Sequence, residues 1–391
     1  MSLANRIWFN CTIIGLLILS SEPASAGITP EEVKEFEGYK ISAIKGDKVA
    51  QHNLANCYFN GLGVEKDYSQ SFYWTKQAAT QGHAGSQCNL GIAYERGLGV
   101  RRDIDEALKW YSASAENGVA EAQFNLAACY SSRSTLENDT LAARWYKKSA
   151  EQGIMLAQFN YAKYLEDGRG VECDRPAALL WYQSAAEQGL AEAQFNLGNC
   201  YLNGVGTAKN AEKAIYWLEK ASSQNFAPAI NNLGNCHDMG LGVVKNHKLA
   251  FAFFEKSARL GFVDAQINMA NSLSQGLGVA KNPEEANKWY RSAAEQGIAS
   301  AQFNLGVHYA NGYGVKSDVT TAHALLALAA ATDPRNEQAK KYMQILQQGM
   351  TAEQLKASSE IGNSIIKKIW QNRTNPHEWF DKGSTRLERV K

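Results

Sequence analysis

The chain has 391 residues and a formal net charge of +1, from 40 basic and 39 acidic residues. This balance, with no long run of one charge sign, argues against a nucleic-acid-binding stripe and against a polybasic membrane patch. The length exceeds that of one compact domain, so the order of features along the chain has to decide the architecture.

The N-terminal segment has the features of a secretory signal peptide. Arg6 precedes an apolar stretch from Ile7 to Leu19, and Ala24-Ser25-Ala26 supplies the small residues of a cleavage site. The stretch is too short for a comfortable membrane span, although an uncleaved anchor is the alternative. We predict a signal peptide at 1–26, a mature chain that begins at Gly27 and has no membrane span, and a periplasmic or secreted location.

A glycine-X-glycine step recurs along the chain, mostly at intervals of 36 residues, and a tryptophan recurs at nearly the same interval. The first glycines of the step are Gly61, Gly97, Gly168, Gly204, Gly240, Gly276 and Gly312. The tryptophans are Trp74, Trp110, Trp145, Trp181, Trp217 and Trp289. A fixed period of this length indicates an array of repeated units rather than one globular core.

Each unit has the pattern of two antiparallel helices, which the fifth unit shows well. Ala193, Leu197 and Tyr201 lie on one face of a first helix, which a glycine at Gly204 would end. A second amphipathic helix follows at 211–222, where Asp or Asn commonly stands at the expected N-cap. The prediction is an all-α solenoid of about eight helix-turn-helix repeats, with the tryptophans filling space between the layers.

The same markers divide the chain into segments. We predict an N-terminal lead-in at 27–44, the repeat array at 45–333, a C-terminal pair of capping helices at 334–370 and a flexible tail at 371–391. The two capping helices are expected near 336–348 and 351–370. The tail contains Trp379 and Phe380 among basic residues, so an aromatic and basic docking tail is the alternative to disorder.

The third unit departs from the pattern. It has a serine-rich stretch, Ser131 to Thr135, in place of the glycines, and it is one residue shorter than the others. We interpret this stretch as a loop that has drifted in sequence. The alternative is a local change in the pitch of the array or a contact with a partner.

The repeated string Ala-Gln-Phe-Asn-Leu-Gly, followed by Tyr, Asn-Gly-X-Gly-Val, Asp, Trp-Tyr and Ala-Ala-Glu-Gln-Gly, resembles the Sel1-like repeat (SLR), a relative of the tetratricopeptide repeat. The resemblance covers residues 45–333 and implies a right-handed superhelix with an adaptor or scaffold role. A cysteine-rich bacterial branch of this family has two bridged cysteines per repeat and is associated with β-lactam binding. This chain has at most one cysteine per repeat, so it departs from that branch.

Six cysteines follow the predicted cleavage site. Four hold the same register on the apolar face of a first helix and are interpreted as small buried residues: Cys57, Cys129, Cys200 and Cys236. Equivalent sites on packed helices lie roughly 8–10 Å apart, which is too far for a disulfide. Cys88 and Cys173 lie outside this register and are the better candidates for a bridge.

The motifs of catalysis and cofactor binding are missing from the sequence. The glycine steps follow helices and lack the Gly-Lys-Ser/Thr of a phosphate loop, and no serine has the setting of a nucleophile elbow. The seven histidines form no metal pair at helical spacing. We predict a protein that is not an enzyme and holds no metal or cofactor; the alternative is a cell-envelope or β-lactam-related hydrolase of the cysteine-rich SLR type.

The expected function is to bind a protein or peptide partner on the concave face, as a monomer. Residues shared by all repeats are expected to be structural, and residues that vary on the open face are available to a ligand. By analogy with tetratricopeptide repeats, we expect the first helices to line this face. The predicted partner-binding residues are Asn56, Lys163, Asn199, Asn235 and Asn271, with Phe124, Phe159 and Phe195 as apolar pockets or as residues of the helix seam.

One asparagine recurs in every repeat, three residues before the predicted binding position. We interpret it as an internal amide that satisfies a neighbouring loop or backbone. The alternative is a ladder that contacts an extended peptide. The positions are Asn53, Asn89, Asn125, Asn160, Asn196, Asn232, Asn268 and Asn304.

Overall fold

The structure is a computed structural model that describes residues 28–133 and 135–374. All regular secondary structure in that part of the chain is α-helical. The predicted signal peptide and residues 375–391 of the predicted tail lie outside the described residues. The helices are α1 (Pro30–Ile44), α2 (Lys48–Asn60), α3 (Tyr68–Thr80), α4 (Ala84–Arg96), α5 (Ile104–Glu116), α6 (Ala120–Ser131), α7 (Leu136–Glu151), α8 (Met155–Asp167), α9 (Arg175–Glu187), α10 (Ala191–Asn203), α11 (Ala211–Ser223), α12 (Ala227–Met239), α13 (His247–Arg259), α14 (Val263–Gln275), α15 (Pro283–Ala294), α16 (Ala299–Asn311), α17 (Val319–Thr332), α18 (Glu337–Gln348) and α19 (Ala352–Thr374).

The chain divides into two compact units, with the division between Gln188 and Gly189. Unit 1 contains α1 to α9. Its hairpins are α2 with α3, α4 with α5, α6 with α7 and α8 with α9, and α3, α5 and α7 each pack on the first helix of the next hairpin. Helix α1 packs on α2 in the same way, so it acts as the second helix of an incomplete preceding hairpin.

Unit 2 contains α10 to α19 and repeats this arrangement. Its hairpins are α10 with α11, α12 with α13, α14 with α15 and α16 with α17. Helices α18 and α19 both pack on α17. Helix α19 also reaches α15, where the Lys368 ammonium lies 2.7 Å from the Glu295 carboxylate. The fold is therefore the predicted all-α array of helical hairpins.

Local sequence signals set the helix ends. The residue before every second helix except α7, which Thr135 caps, is an Asp or Asn that accepts hydrogen bonds from the first turn; Asp103, for example, accepts from the backbone N–H groups of Asp105 and Glu106 at 3.0 Å. Gly204 ends α10 in the left-handed conformation, with φ of 76°, and its N–H donates to the Cys200 carbonyl. The expectation that an Asp or Asn commonly caps the second helix is confirmed at Asp67, Asp103, Asp174, Asn210, Asn282 and Asp318.

The second glycine of each step lets one repeat approach the previous one closely. A Cβ atom on Gly99 would lie 2.0 Å from the Tyr68 carbonyl oxygen at the start of α3, and one on Gly278 would lie 2.1 Å from the His247 carbonyl oxygen at the start of α13. No side chain fits at such distances. This glycine is therefore required for packing between repeats as well as for the turn itself.

A buried glutamine at the start of nearly every first helix links three helices. In unit 1, Gln158 on α8 donates to the Ala150 carbonyl at the end of α7, at 3.3 Å, and accepts from Gln188 after α9, at 2.7 Å. The same pair of bonds holds Gln51, Gln87, Gln123 and Gln158 in unit 1, and Gln266 in unit 2 accepts an equivalent bond from Gln296. These shared residues are structural, as the sequence rule predicts.

The aromatic filling differs from the prediction. Trp181 is half-buried at the edge of Tyr161, whereas the next residue, Tyr182, is only 1% exposed and donates from its hydroxyl to Glu166 at 2.7 Å. Tyr111 and Tyr290 are buried to a similar degree. The tyrosine one position after the tryptophan therefore fills the space between helices, because that position points directly at the first helix.

The third hairpin is closed without glycine. Helix α6 ends through Ser132 in the right-handed conformation, and α7 begins at Leu136, so the linker is 132–135 where the fifth repeat has 204–210. Arg169 of the next repeat bonds to the Asp139 carboxylate at 2.8 Å and to the Ser131 carbonyl at 3.0 Å. An arginine from the neighbouring loop thus holds the shortened turn in place.

The cysteines do not form the expected bridge. Cys88 is buried in α4, while Cys173 is exposed before α9 and its Sγ donates to the Glu166 carbonyl, and the two are not bonded to each other. Of the four cysteines in register, Cys57, Cys200 and Cys236 are buried and Cys129 is partly exposed. Burial raises the pKa of the Cys57 thiol to about 12, which keeps it protonated and unreactive.

Candidate functional site

The first helices of unit 2 carry one row of asparagines at the predicted binding position. Asn199 on α10, Asn235 on α12 and Asn271 on α14 are each half-buried at the same register. Their neighbours on the packed side, such as Leu197 and Leu233, are fully buried. The row therefore lies at the edge of the core on the face of the first helices.

The recurring asparagine of the following repeat holds each member of this row. The Asn232 side-chain amide donates to Asn199 Oδ1 at 2.7 Å, and the Asn304 amide donates to Asn271 Oδ1 at 3.2 Å. The amide of Asn268 donates to Asn235 Oδ1 at 3.3 Å and also to Asn231 Oδ1 at 2.9 Å. The recurring asparagine is thus a seam residue, in agreement with its interpretation as an internal amide.

This seam orients the row. The oxygen and the nitrogen of a carboxamide lie on opposite sides of its carbon, so fixing Oδ1 towards the next helix turns Nδ2 away from it. In Asn271, Oδ1 also accepts from the Tyr290 hydroxyl at 2.5 Å, which holds the same orientation. The row therefore presents hydrogen-bond donors rather than acceptors away from the seam.

Unit 1 carries the other predicted polar residues. Asn56 on α2 accepts from the Asn89 amide at 3.4 Å, as the asparagines of unit 2 do. Lys163 on α8 is exposed, and its ammonium lies 5.8 Å from the centre of the Phe159 ring. The structure thus brings Lys163 and Phe159 together on one helix face, where a cation and an aromatic ring are available to a ligand.

The predicted phenylalanines lie in the helix seams. Phe124 packs on Tyr146 and Phe159 on Tyr182, each with ring centres 5.8 Å apart. Phe195 packs on Phe226 at 5.5 Å. All three are half-buried, so one side of each ring fills the seam and the remaining surface borders the row of polar residues.

Two histidines form a cluster that the sequence patterns did not single out. His52 Nδ1 lies 2.8 Å from Ser86 Oγ, and His83 Nδ1 lies 3.0 Å from the same hydroxyl. The two imidazole rings are 4.4 Å apart between centres. Burial, and secondly the neighbouring His83, lowers the pKa of His52 to about 4; burial, and secondly Lys48, lowers the pKa of His83. The available signal was the departure of these positions from the other repeats.

Within residues 28–133 and 135–374, no group of three or more His, Cys, Asp or Glu side chains could hold a metal ion. No helix in the same ranges is both long enough and apolar enough to cross a membrane.

The stacked hairpins with repeated seams define an α-helical repeat protein of the solenoid class. Eight consecutive segments match the family model described as Sel1 repeat: residues 48–83, 84–119, 120–154, 156–190, 191–226, 227–262, 263–298 and 299–331. The chain belongs to the Sel1 repeat family, and the resemblance seen in the sequence is confirmed. Proteins of this family are generally non-catalytic scaffolds for protein–protein interaction.

Two solved structures are similar over most of their length. A protective antigen of uropathogenic Escherichia coli strains with an SLR fold, c5321, is 32% identical, with a TM-score of 0.60 over 92% of this chain and 84% of that chain. A Sel1 repeat protein from Oxalobacter formigenes is 27% identical, with a TM-score of 0.62 over 80% of this chain and 90% of that chain. No curated protein matches this chain.

Proposed function

We propose that this chain is a periplasmic or secreted scaffold that acts as a monomer and binds a protein or peptide partner along the face of its first helices. The signal-like segment at 1–26 supports the location. The similar protein that is described as a protective antigen is compatible with a location outside the cytoplasm. The scaffold role follows the general role of the family.

The observation that carries the binding proposal is the oriented row of Asn199, Asn235 and Asn271. The side-chain oxygens of this row are held in the seam between neighbouring repeats, which leaves the amide nitrogens directed away from it. Its outward donors suit the carbonyl oxygens of an extended peptide, which recur along one side of the backbone. In unit 1, the Lys163 ammonium suits a carboxylate.

The row can be tested by a substitution that keeps the seam and removes the donor. Asn199→Asp and Asn235→Asp retain an oxygen that accepts from Asn232 and Asn268, but replace each outward N–H₂ with a carboxylate oxygen. We expect the double variant to lose the partners that the purified full chain captures from its native compartment. The helical content should remain unchanged by circular dichroism.

The matched control is Asn203→Asp, which adds the same charge at an exposed position on α10. This variant should capture partners as the wild type does. If the double variant captures the same partners with the same yield, the row in unit 2 is not the binding surface. A combined Lys163→Ala, Asn199→Asp and Asn235→Asp variant extends the test to the polar residue of unit 1.

A further inference from the structure

The contact between the first two repeats is built differently from the equivalent contacts farther along the chain. It contains His52, Ser86 and His83 where other repeats have mostly apolar residues. The residue equivalent to Ser86 is an alanine in the other seven repeats: Ala50, Ala122, Ala157, Ala193, Ala229, Ala265 and Ala301. The residues equivalent to His52 in the other repeats are Cys88, Phe124, Phe159, Phe195, Asn231, Ile267 and Phe303. His83 directly precedes a first helix, and the equivalent residues in the other repeats are Asp47, Val119, Ile154, Leu190, Phe226, Phe262 and Ile298.

The hydrogen bonds of this contact run in one direction. The Asn56 amide nitrogen lies 3.0 Å from His52 Nε2, and it can only donate, so Nε2 carries no proton. The proton of neutral His52 is then on Nδ1 and is donated to Ser86 Oγ at 2.8 Å. At the other ring, the Ser86 backbone N–H donates to His83 Nδ1 at 3.1 Å, so this nitrogen also carries no proton.

Ser86 Oγ completes this series of hydrogen bonds. Having accepted from His52, the hydroxyl donates its own proton to His83 Nδ1 at 3.0 Å. This series of hydrogen bonds from Asn56 to His83 forms only when both imidazoles are neutral. A proton on His52 Nε2 would face the Asn56 amide as a second donor, and a proton on His83 Nδ1 would remove the cap of α4.

We propose that His52, Ser86 and His83 form a proton-sensitive junction between the first two repeats, closed while both imidazoles are neutral and opened when either is protonated. The rings are close enough for a charge on one to oppose a charge on the other. Gly85 borders both rings, and a Cβ at this position would be in ordinary van der Waals contact with His83 at 3.4 Å and with His52 at 3.5 Å.

The charged surroundings favour the neutral form. Lys48, in the first turn of α2, disfavours a positive charge on His83, and the two histidines disfavour a charge on each other. Across the described parts of α1 to α5, no carboxylate stabilises either imidazolium. Acidification therefore acts against the contact, and no ion pair compensates.

The direction of the pH effect follows from these shifts. In the unfolded segment, histidine takes up a proton near pH 6.5, whereas the folded contact lowers the pKa of His52 to about 4. The stabilisation is complete above pH 6.5 and is lost as the pH falls from 6.5 towards 4. From His52 alone, lowering the pH from 8 to 5 should raise the opening equilibrium roughly 30-fold.

The junction also bears on the predicted binding residue Asn56. When His52 Nε2 is protonated, the Asn56 amide must turn, and its oxygen then leaves the Asn89 donor. This consequence for ligand capture rests on the proposed function, while the junction itself does not. The decisive experiment therefore uses no ligand, so that the proposal of the junction and the proposal of partner binding can fail independently.

The experiment is hydrogen exchange of the full chain between pH 8 and pH 5, with exchange times scaled for the intrinsic rate. We expect the amides of α2 and α4 to lose protection on acidification. Helices α8 and α9, which contain no histidine, are the internal control and should keep theirs. Equal responses of the two pairs of helices would overturn the proposal.

A variant separates the junction from general acid effects. His52→Phe with Ser86→Ala installs the residues of the third repeat, Phe124 and Ala122, and should abolish the selective loss of protection. His247→Gln, a half-exposed histidine in unit 2, should leave the loss unchanged. An undiminished acid response in the His52 and Ser86 variant would refute the junction.

A second measurement does not depend on the folding of that variant. In wild-type protein with labelled histidines, NMR titration should show one imidazole that stays neutral well below pH 6.5. Its signal is assigned to His52 by its loss in His52→Phe or by its contact with the His83 ring. If His52 titrates at its ordinary pKa, the proposal is wrong.

Discussion

At the scale of single residues, the buried glutamine of each first helix and the side chain that donates to it from the end of the second helix form a pair that one repeat lacks. Gln158 accepts from Gln188 within the fourth repeat, and the fifth repeat pairs Gln194 with Gln224 in the same way. In the sixth repeat both positions are apolar, Ile230 and Leu260. Replacing both partners of a buried hydrogen bond by apolar groups can be nearly neutral, whereas replacing one leaves the other unsatisfied.

This exception makes a prediction for the fourth repeat. Gln158→Ile alone should destabilise it by about 1 kcal/mol, because the buried Gln158 side chain loses its hydrogen bonds to the Ala150 carbonyl and to Gln188, an exposed residue that water can still satisfy. The double variant Gln158→Ile with Gln188→Leu should recover part of that loss. Denaturant unfolding of the two single variants and the double variant measures the coupling. Strictly additive effects would mean that the two glutamines do not act as a pair.

For single residues, the sequence predicts which face of a helix a side chain lies on more easily than it predicts the hydrogen-bond partner of that side chain. The register located Asn199, Asn235 and Asn271, because a periodic pattern fixes which residues share a face. It did not reveal that the next repeat holds each oxygen, since this depends on the spacing between helices. The histidine junction was missed for a similar reason: its members are far apart in sequence and meet only when two repeats pack.

At the scale of helices and loops, the two glycines of one step have separable roles. Gly276 ends α14 with φ of 79°, and an added Cβ would meet the Lys281 side chain at 3.3 Å. Gly278 has φ of 72°, and its added Cβ would collide with the backbone of His247. The first glycine serves the turn, and the second serves the contact with the preceding repeat.

We therefore expect unequal costs from the same substitution. Gly276→Ala should cost about 1–2 kcal/mol, the usual penalty for the left-handed conformation. Gly278→Ala should cost roughly 3 kcal/mol or more, since the start of α13 must also move. Hydrogen exchange of α13 and α14 in the two variants provides the comparison. Equal losses of protection would show that the close approach has no energetic weight.

Helices were the best predicted level of structure. The N-caps and the glycine stops act within a few residues, so Asp103 and Gly204 could be assigned without tertiary information. The early start of α7 could not, because it depends on Arg169 from the following repeat holding Ser131 and Asp139. Helix α1 was likewise expected only as a lead-in, since its partner lies in α2.

At the scale of the whole molecule, the location proposal makes a prediction about the mature chain. If residues 1–26 are a cleaved signal peptide, protein purified from its native compartment begins at Gly27. Intact mass and N-terminal sequencing will measure this directly. A chain that retains Met1 and fractionates with the cytoplasm would contradict both the cleavage and the proposed location.

The buried glutamine recurs in register at most contacts between successive repeats, and the second glycine of every step presents one kind of surface to the repeat before it. A gain or loss of one whole module, cut at the same register, would therefore leave matched neighbours on both sides of the cut. Evolution could lengthen or shorten such a chain by duplicating or deleting 36-residue blocks without redesigning any seam. The unusual histidine junction is the exception, because deleting either of its repeats would remove at least one of its three members.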